Sequence, residues 1–272
     1  MKTLYVSDLD GTLLRSDETL STYTCETLNR LTAQGMLFSY ATARSYNTSR
    51  KVTAGLNANF PLIVYNGVFI VDNADGGIII SNYFSEDVKA TIADITAHGV
   101  YPIVYSMIDG EQKFSYVRNN YSKGTAEFAA SRKGDRRDNP VSSEDELLLG
   151  RIFYVTCIDD EAKLEPLYDK YRDIHHCVFS KDIYSGEQWL EMIPKGISKA
   201  TAARQLKEHL GCERIVAFGD GKNDIELFEA ADESCAVENA DDELRAAATH
   251  VIGSNNADGV VKWIEQDFTS SI

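Results

Sequence analysis

A chain of 272 residues is long enough for a large buried core and for more than one domain, and 43% hydrophobic with 25% charged residues excludes a disordered protein. Its net charge of −15 argues against a polyanionic partner such as nucleic acid and against an anionic membrane surface, since both need an excess of Lys and Arg. A small phosphorylated molecule stays allowed, because one cation and a few N–H groups can hold it locally.

Leu4-Tyr5-Val6-Ser7 is a short apolar run ending in acidic residues and Gly11, which reads as a buried strand and a turn. From Tyr23 to Gln34, Leu28 and Leu31 at helical spacing predict a helix stopped by Gly35. Met36–Ala41 and Leu62–Tyr65 are two further apolar stretches, breaking into Thr42-Ala43-Arg44 and Asn66-Gly67. Strands alternating with helices imply a parallel sheet with crossover helices. Val68–Tyr83, with Gly76-Gly77 at its centre, reads as a hairpin on the edge of that domain.

From about Ser85 the texture changes. Helices over Glu86–His98 and Glu161–Tyr171 are mixed with strands at Val100–Met107, Lys113–Val117, Arg151–Cys157, Cys177–Phe179 and Trp189–Ile193. Between Glu111 and Arg137 lie seven Lys or Arg against three Asp or Glu, a stretch read as a solvated loop. After this α+β module the first texture returns. Helices are predicted over Ser198–Leu210, Ile225–Ala231, Asp241–Ala248 and Gly259–Gln266, with strands at Arg214–Phe218 and Val251–Ile252. The α/β core is therefore expected over 1–83 and 190–272, with a second domain, 84–189, inserted between its halves.

Asp8-Leu9-Asp10-Gly11-Thr12 directly follows the first strand. Residues two apart in extended chain point the same way, so Asp8 and Asp10 can face one site. Two carboxylates that close repel unless a cation sits between them, and all-oxygen ligands favour a hard ion such as Mg²⁺. An acidic turn capping a helix is the plain alternative for this motif taken alone. It is not alone, because the other core strands end in Thr42-Ala43-Arg44, Asn66-Gly67 and Gly219-Asp220-Gly221-Lys222-Asn223-Asp224. In open α/β sheets ligands bind outside the carboxyl ends of the strands, so these loops converge. Lys199, at the start of a predicted helix, brings an ammonium beside N–H groups that favour an anion.

These motifs resemble those of the haloacid dehalogenase superfamily, in its Cof-like branch with a large inserted cap of the C2 (type IIB) kind. The resemblance implies a Rossmann-like α/β core and an α+β cap that closes over it and selects the substrate. It implies that Asp8 is the nucleophile and Asp10 the acid/base, with the phosphoryl group held by Thr42, Ala43, Lys199 and Asn223. Mg²⁺ would be held by Asp8, Asp10, Asp220 and Asp224. Arg44, Asn66, Glu187 and Trp189 are candidate substrate contacts. The family usually has Thr-Gly-Arg in its second motif; here Ala43 replaces the glycine, where a methyl group can crowd a phosphate-binding N–H.

The implied function is Mg²⁺-dependent hydrolysis of a small phosphorylated metabolite through an aspartyl phosphate on Asp8. Sugar phosphates lead, followed by phosphorylated cofactors such as pyridoxal phosphate or flavin mononucleotide. A phosphotransferase or phosphomutase using the same intermediate is the near alternative, and a silent metabolite-binding protein the far one. The five cysteines show no CxxC spacing and read as reduced thiols. His175-His176 reads as packing rather than a metal site. No apolar run nears the ~20 residues of a membrane span, so a cytoplasmic monomer or weak homo-oligomer is expected.

Overall fold

The computed structural model describes residues 1–57, 60–182 and 186–270. They form two compact units: Met1–Ser81 with Ile197–Ile272, and Asn82–Gly196. The first unit begins with β1 (Thr3–Asp8), α1 (Thr22–Ala33), β2 (Leu37–Ala41), α2 (Tyr46–Val52), β3 (Leu62–Val64), β4 (Phe69–Val71) and β5 (Ile78–Ser81). The second unit holds α3 (Val88–Ala97), β6 (Ile103–Ile108), β7 (Glu111–Val117), α4 (Lys123–Ser131), β8 (Asp138–Val141), β9 (Arg151–Ile158), α5 (Glu161–Tyr171), β10 (His176–Lys181) and β11 (Gln188–Ile193). The chain then completes the first unit with α6 (Lys199–Leu210), β12 (Arg214–Gly219), α7 (Ile225–Ala230), β13 (Glu233–Val237), α8 (Asp242–Ala247), β14 (His250–Ile252) and α9 (Gly259–Ser270).

The fold is α/β. The first unit's sheet runs β14-β13-β12-β1-β2-β3-β4-β5. The strands from β14 to β3 pair in parallel, and β4 and β5 close one edge as an antiparallel hairpin. Leu4, Tyr5 and Val6 of β1 are fully buried, as a central strand covered on both faces requires. β12 runs beside it with Thr3 opposite Arg214 and Ser7 opposite Phe218. From α9, Trp263 packs edge-on against Phe218 with ring centroids 5.5 Å apart.

The second unit's sheet runs β10-β11-β9-β6-β7-β8 and is antiparallel except for the β7–β8 pair. Val104, Val155, Cys157, Leu190 and Met192 from this sheet pack with Ile92 and Ile95 of α3 and Leu164 and Leu167 of α5. β11 pairs with β10 on one side and β9 on the other, so it lies wholly within this unit and the chain returns at Gly196–Ile197.

Four elements go beyond the sequence reading: α2, α4, β8 and β13. The basic stretch is no solvated loop: it contains β7 and α4, the helix capped by Ser122 accepting from the Thr125 N–H at 3.0 Å, and β8 follows directly after it. Phe128 is the buried anchor of α4, and β8 carries Pro140 because an edge strand tolerates a missing donor. β13 was not read at all, since Glu233-Ser234 breaks the apolar run that usually marks a buried strand. Among the described residues no helix is long and apolar enough to cross a membrane.

Candidate active site

Because they are parallel neighbours, β12, β1, β2 and β3 present their carboxyl ends on one side of the sheet. β1 ends on the buried Asp8, and the chain then turns tightly through Leu9–Leu13, with Leu14 N–H donating to Leu9 O at 2.8 Å. Gly11 takes φ +78, a conformation open to glycine at little cost.

Lys199 is the first residue of α6. Its helix is started by Ser198, whose side chain accepts from Thr201 N–H while the Thr201 hydroxyl accepts from Ser198 N–H. The turn after β3 makes this seat possible. A Cβ on Gly67 would fall 2.3 Å from the Ser198 carbonyl oxygen, so only glycine lets the helix start approach that closely. From there Lys199 Nζ donates to Asp8 Oδ1 at 2.6 Å and to Asp224 Oδ1 at 2.8 Å, with Lys199 4% and Asp224 0% exposed. The other oxygen of Asp224 accepts from the N–H groups of Asp220 at 3.2 Å and Gly221 at 3.3 Å. Thr12 donates its hydroxyl to Asp220 Oδ1 at 2.9 Å.

Asp8, Asp220 and Asp224 each offer an oxygen, and these atoms lie within 4.8 Å of one another. Burial drives the Asp8 carboxyl well above its usual range; Lys199 opposes this, and Asp224, Asp220 and Asp10 add to it. Burial, followed by the charge of Asp224, pushes Asp220 up to about 6. Burial also works against the Lys199 ammonium, but Asp224 and Asp8 outweigh it and hold the amine charged. Three carboxylates against one ammonium leave negative charge in excess, and all the donors are hard oxygens. The residues present therefore fit a divalent cation.

The Asp10 carboxylate is not one of those three. It accepts from Arg44 Nε at 2.9 and 3.1 Å and from Arg44 Nη2 at 2.6 Å. The second oxygen bond of Nη2 goes to Glu18 Oε2 at 2.7 Å. The reason is local: Arg44, just past β2, projects a planar fork that matches a carboxylate two-pronged. Burial opposes the guanidinium charge, and the bonds to Asp10 and Glu18 more than restore it.

Thr42 is buried, its hydroxyl accepting from Arg44 N–H at 3.1 Å and its carbonyl from Asn66 N–H at 2.9 Å. Asn66 is buried in the left-handed region at φ +53, beside Tyr65 at φ +52. Ala43 is not among the residues with positive φ, so its methyl group brings no backbone strain. Asn223 is exposed, its amide oxygen lying over Gly221, where an added Cβ would fall 2.6 Å away. Glu187 and Trp189 belong to the second unit. There Trp189 packs on Phe128 with centroids 6.1 Å apart, and Glu187 lies 3.7 Å from Lys123 Nζ. His175 likewise packs, its Nε2 2.9 Å from Thr91 Oγ1.

Two contributors are not singled out by the sequence reading, and a third, Asn239, is placed there only by the resemblance to the family's C-terminal pattern. Thr12 sat inside the quoted motif without a role. Glu18 reaches Arg44 only because the chain folds back after Arg15. Asn239 donates to Gly11 O at 2.8 Å and accepts from Asn255 N–H at 2.9 Å, clipping the turn after Asp8 to the segment before α9. Only the fold shows the role of Glu18.

The family profile of the haloacid dehalogenase-like hydrolases matches residues 5–264. A 5-amino-6-(5-phospho-D-ribitylamino)uracil phosphatase of Bacillus subtilis is 28% identical, covering 98% of this chain and 97% of its own length. An Escherichia coli K12 phosphatase of the same name is also 28% identical, over 97% and 95%. An X-ray structure from Thermotoga maritima superposes with a TM-score of 0.77 at 25% identity, covering 98% of this chain and 97% of that one. A haloacid dehalogenase-like hydrolase of B. subtilis matches in fold, with a TM-score of 0.79 at 20% identity over 97% and 99%. With the acidic cluster and its lysine at the strand ends, these matches place the chain among the haloacid dehalogenase-like hydrolases, as a phosphatase of that family.

Proposed function

We propose that the enzyme hydrolyses a small phosphorylated metabolite by transferring its phosphoryl group to Asp8, with Mg²⁺ as the resident cation. The observation that carries this reading is the separation of the carboxylates. Asp8 lies buried beside Lys199 with Asp220 and Asp224, while Asp10 lies two residues on and outside that cluster, held by Arg44.

In the first step an oxygen of Asp8 attacks phosphorus, an O–P bond forms and the ester P–O bond breaks. Asp10 supplies the proton that the departing alkoxide needs. In the second step water attacks the same phosphorus, the bond to Asp8 breaks, and Asp10 takes the water's proton, which restores the enzyme. Lys199 and the hydroxyl of Thr42 offset charge on the phosphoryl oxygens. Asp8, Asp220 and Asp224 would hold the cation, which supplies further charge neutralisation for the phosphoryl group. Such a cation would need ionised carboxylates, and its charge would oppose the effect of burial on Asp8.

The relatives' names suggest the first substrate to try, 5-amino-6-(5-phospho-D-ribitylamino)uracil, in which phosphate esterifies the primary alcohol of a polyol. Other sugar and polyol phosphates form the rest of the class, and the second unit is proposed to select among them. The test is phosphate release from this panel, with and without Mg²⁺, beside Asp8→Asn. Release that needs Mg²⁺ and disappears in the variant supports the reading. An inert wild-type enzyme across the panel removes it.

A further inference from the structure

Glu18 belongs to none of the strand-end motifs, yet the fold fixes it firmly. It sits at φ +60, where a residue with a Cβ is seldom found. Its turn is closed at both ends: Arg15 N–H donates to Thr19 O at 2.9 Å, and Glu18 N–H donates to Arg15 O at 3.0 Å. Asp17 stiffens it by accepting from the N–H and hydroxyl of Thr19 at 3.1 and 2.6 Å. Arg15 is in turn tied to both oxygens of Asp258 at 3.1 Å.

From this braced turn the Glu18 carboxylate meets Arg44 Nη2 at 2.7 Å, on the nitrogen that also donates to Asp10 Oδ1 at 2.6 Å. The guanidinium is thus gripped between two carboxylates, and the Asp10 grip is two-pronged. An arginine side chain has many rotamers, so an anchor on its outer side restricts where its fork presents itself. The orientation of Asp10 follows that fork. A general acid acts only within hydrogen-bond reach of the atom it protonates, so small changes in its orientation cost rate.

We propose that Glu18 is a positioning residue for the phosphatase reaction: by anchoring Arg44 it orients Asp10 toward the leaving oxygen. The inference rests on the reading of Asp10 as the proton donor of the first step. That step makes the Asp8 O–P bond, breaks the ester P–O bond and delivers Asp10's proton to the departing oxygen. An alkoxide needs that proton. A p-nitrophenolate is stable as an anion and leaves without it.

The experiment compares kcat/KM for an alkyl ester, ribitol 5-phosphate, and an aryl ester, p-nitrophenyl phosphate, in wild type, Glu18→Gln, Glu18→Ala and Asp10→Asn. The ratio of kcat/KM values reports the phosphorylation step and cancels losses of folded protein. Glu18→Gln keeps the side chain's size, so it serves if the alanine variant folds poorly. The expected result is an alkyl-to-aryl ratio about tenfold below wild type in the Glu18 variants and about a hundredfold below in Asp10→Asn. An unchanged ratio in the Glu18 variants, with the Asp10→Asn ratio collapsed, overturns the role of Glu18 and leaves the phosphatase reading standing. An unchanged ratio in Asp10→Asn overturns the proton-donor assignment and this inference with it. Wild-type enzyme inert toward both esters removes the phosphatase reading as well.

Discussion

Gly11 and Asp220 approach so closely that a methyl group on Gly11 would fall 2.2 Å from Asp220 Oδ2. The turn behind the nucleophile and the loop after β12 therefore fit together only through a missing side chain. Gly11→Ala is expected to cost about 1–2 kcal/mol for the left-handed backbone alone. Displacing Asp220 by about an ångström is expected to lower phosphate release about a hundredfold. Steady-state rates and a thermal melt check both, and a variant with wild-type rate contradicts the tight fit.

Lys199 bonds both Asp8 and Asp224. Lys199→Met keeps the length of the side chain and removes its charge, leaving buried carboxylates without a counter-charge. Breaking such a pair costs roughly 3–5 kcal/mol. A divalent cation at the same carboxylates replaces much of the lost charge. The variant should therefore melt well below wild type in chelator and recover most of the difference in millimolar Mg²⁺. Melting curves that Mg²⁺ does not move contradict the proposed ligand set.

The buried Asn255 and the exposed Asn239 share one job unequally. Asn255 Nδ2 donates to Leu14 O at 3.0 Å in a buried setting, whereas Asn239 reaches Gly11 O at 2.8 Å near solvent. Asn255→Ala leaves a buried carbonyl unpaired and should cost about 1–3 kcal/mol; Asn239→Ala, whose partners can turn to water, should cost about 1 kcal/mol or less. Urea denaturation of the two variants tests that order.

His175 gives the second unit a pH dependence. Its ring packs edge-on against Phe84 with centroids 5.2 Å apart and lies beside Tyr171. Burial lowers its pKa below 6.5, and nearby Asp87 opposes this without cancelling it. As pH falls through 6.5 the unfolded chain takes up a proton that the folded chain refuses, so stability is unaffected above that pH and declines below it. The urea midpoint should therefore fall between about pH 7 and about pH 5.5, and fall less in His175→Gln, which cannot titrate. Parallel curves for the two proteins refute the assignment.

How far the sequence alone reaches depends on whether a residue acts through its neighbours in the chain. Asp8, Thr42 and Asp220 stand directly after apolar strands, and strand ends in a parallel sheet share one side, so their convergence is legible. Lys199 follows from a helix start whose Ser198 cap is written in the sequence. Glu18 is different, because its partner Arg44 lies 26 residues away and the link depends on one residue's left-handed backbone. For Asp10 only its spacing from Asp8 was visible in the sequence. The competing pull of a guanidinium from another strand end was not. β8 and α4 went unread for a similar reason: a charged surface hides the single buried Phe128 and the edge pairing that order them.

The parallel pairing of β1 with β12 joins Thr3 to Arg214, across the whole of the second unit. Along the chain Asp8 thus precedes the inserted unit, whereas Lys199, Asp220 and Asp224 follow it. Without that later part of the chain, one side of β1 has no partner strand and Asp8 has neither its ammonium nor its companion carboxylates. A truncated chain ending before Ile197 is accordingly expected to release no phosphate, whatever its inserted unit has folded into.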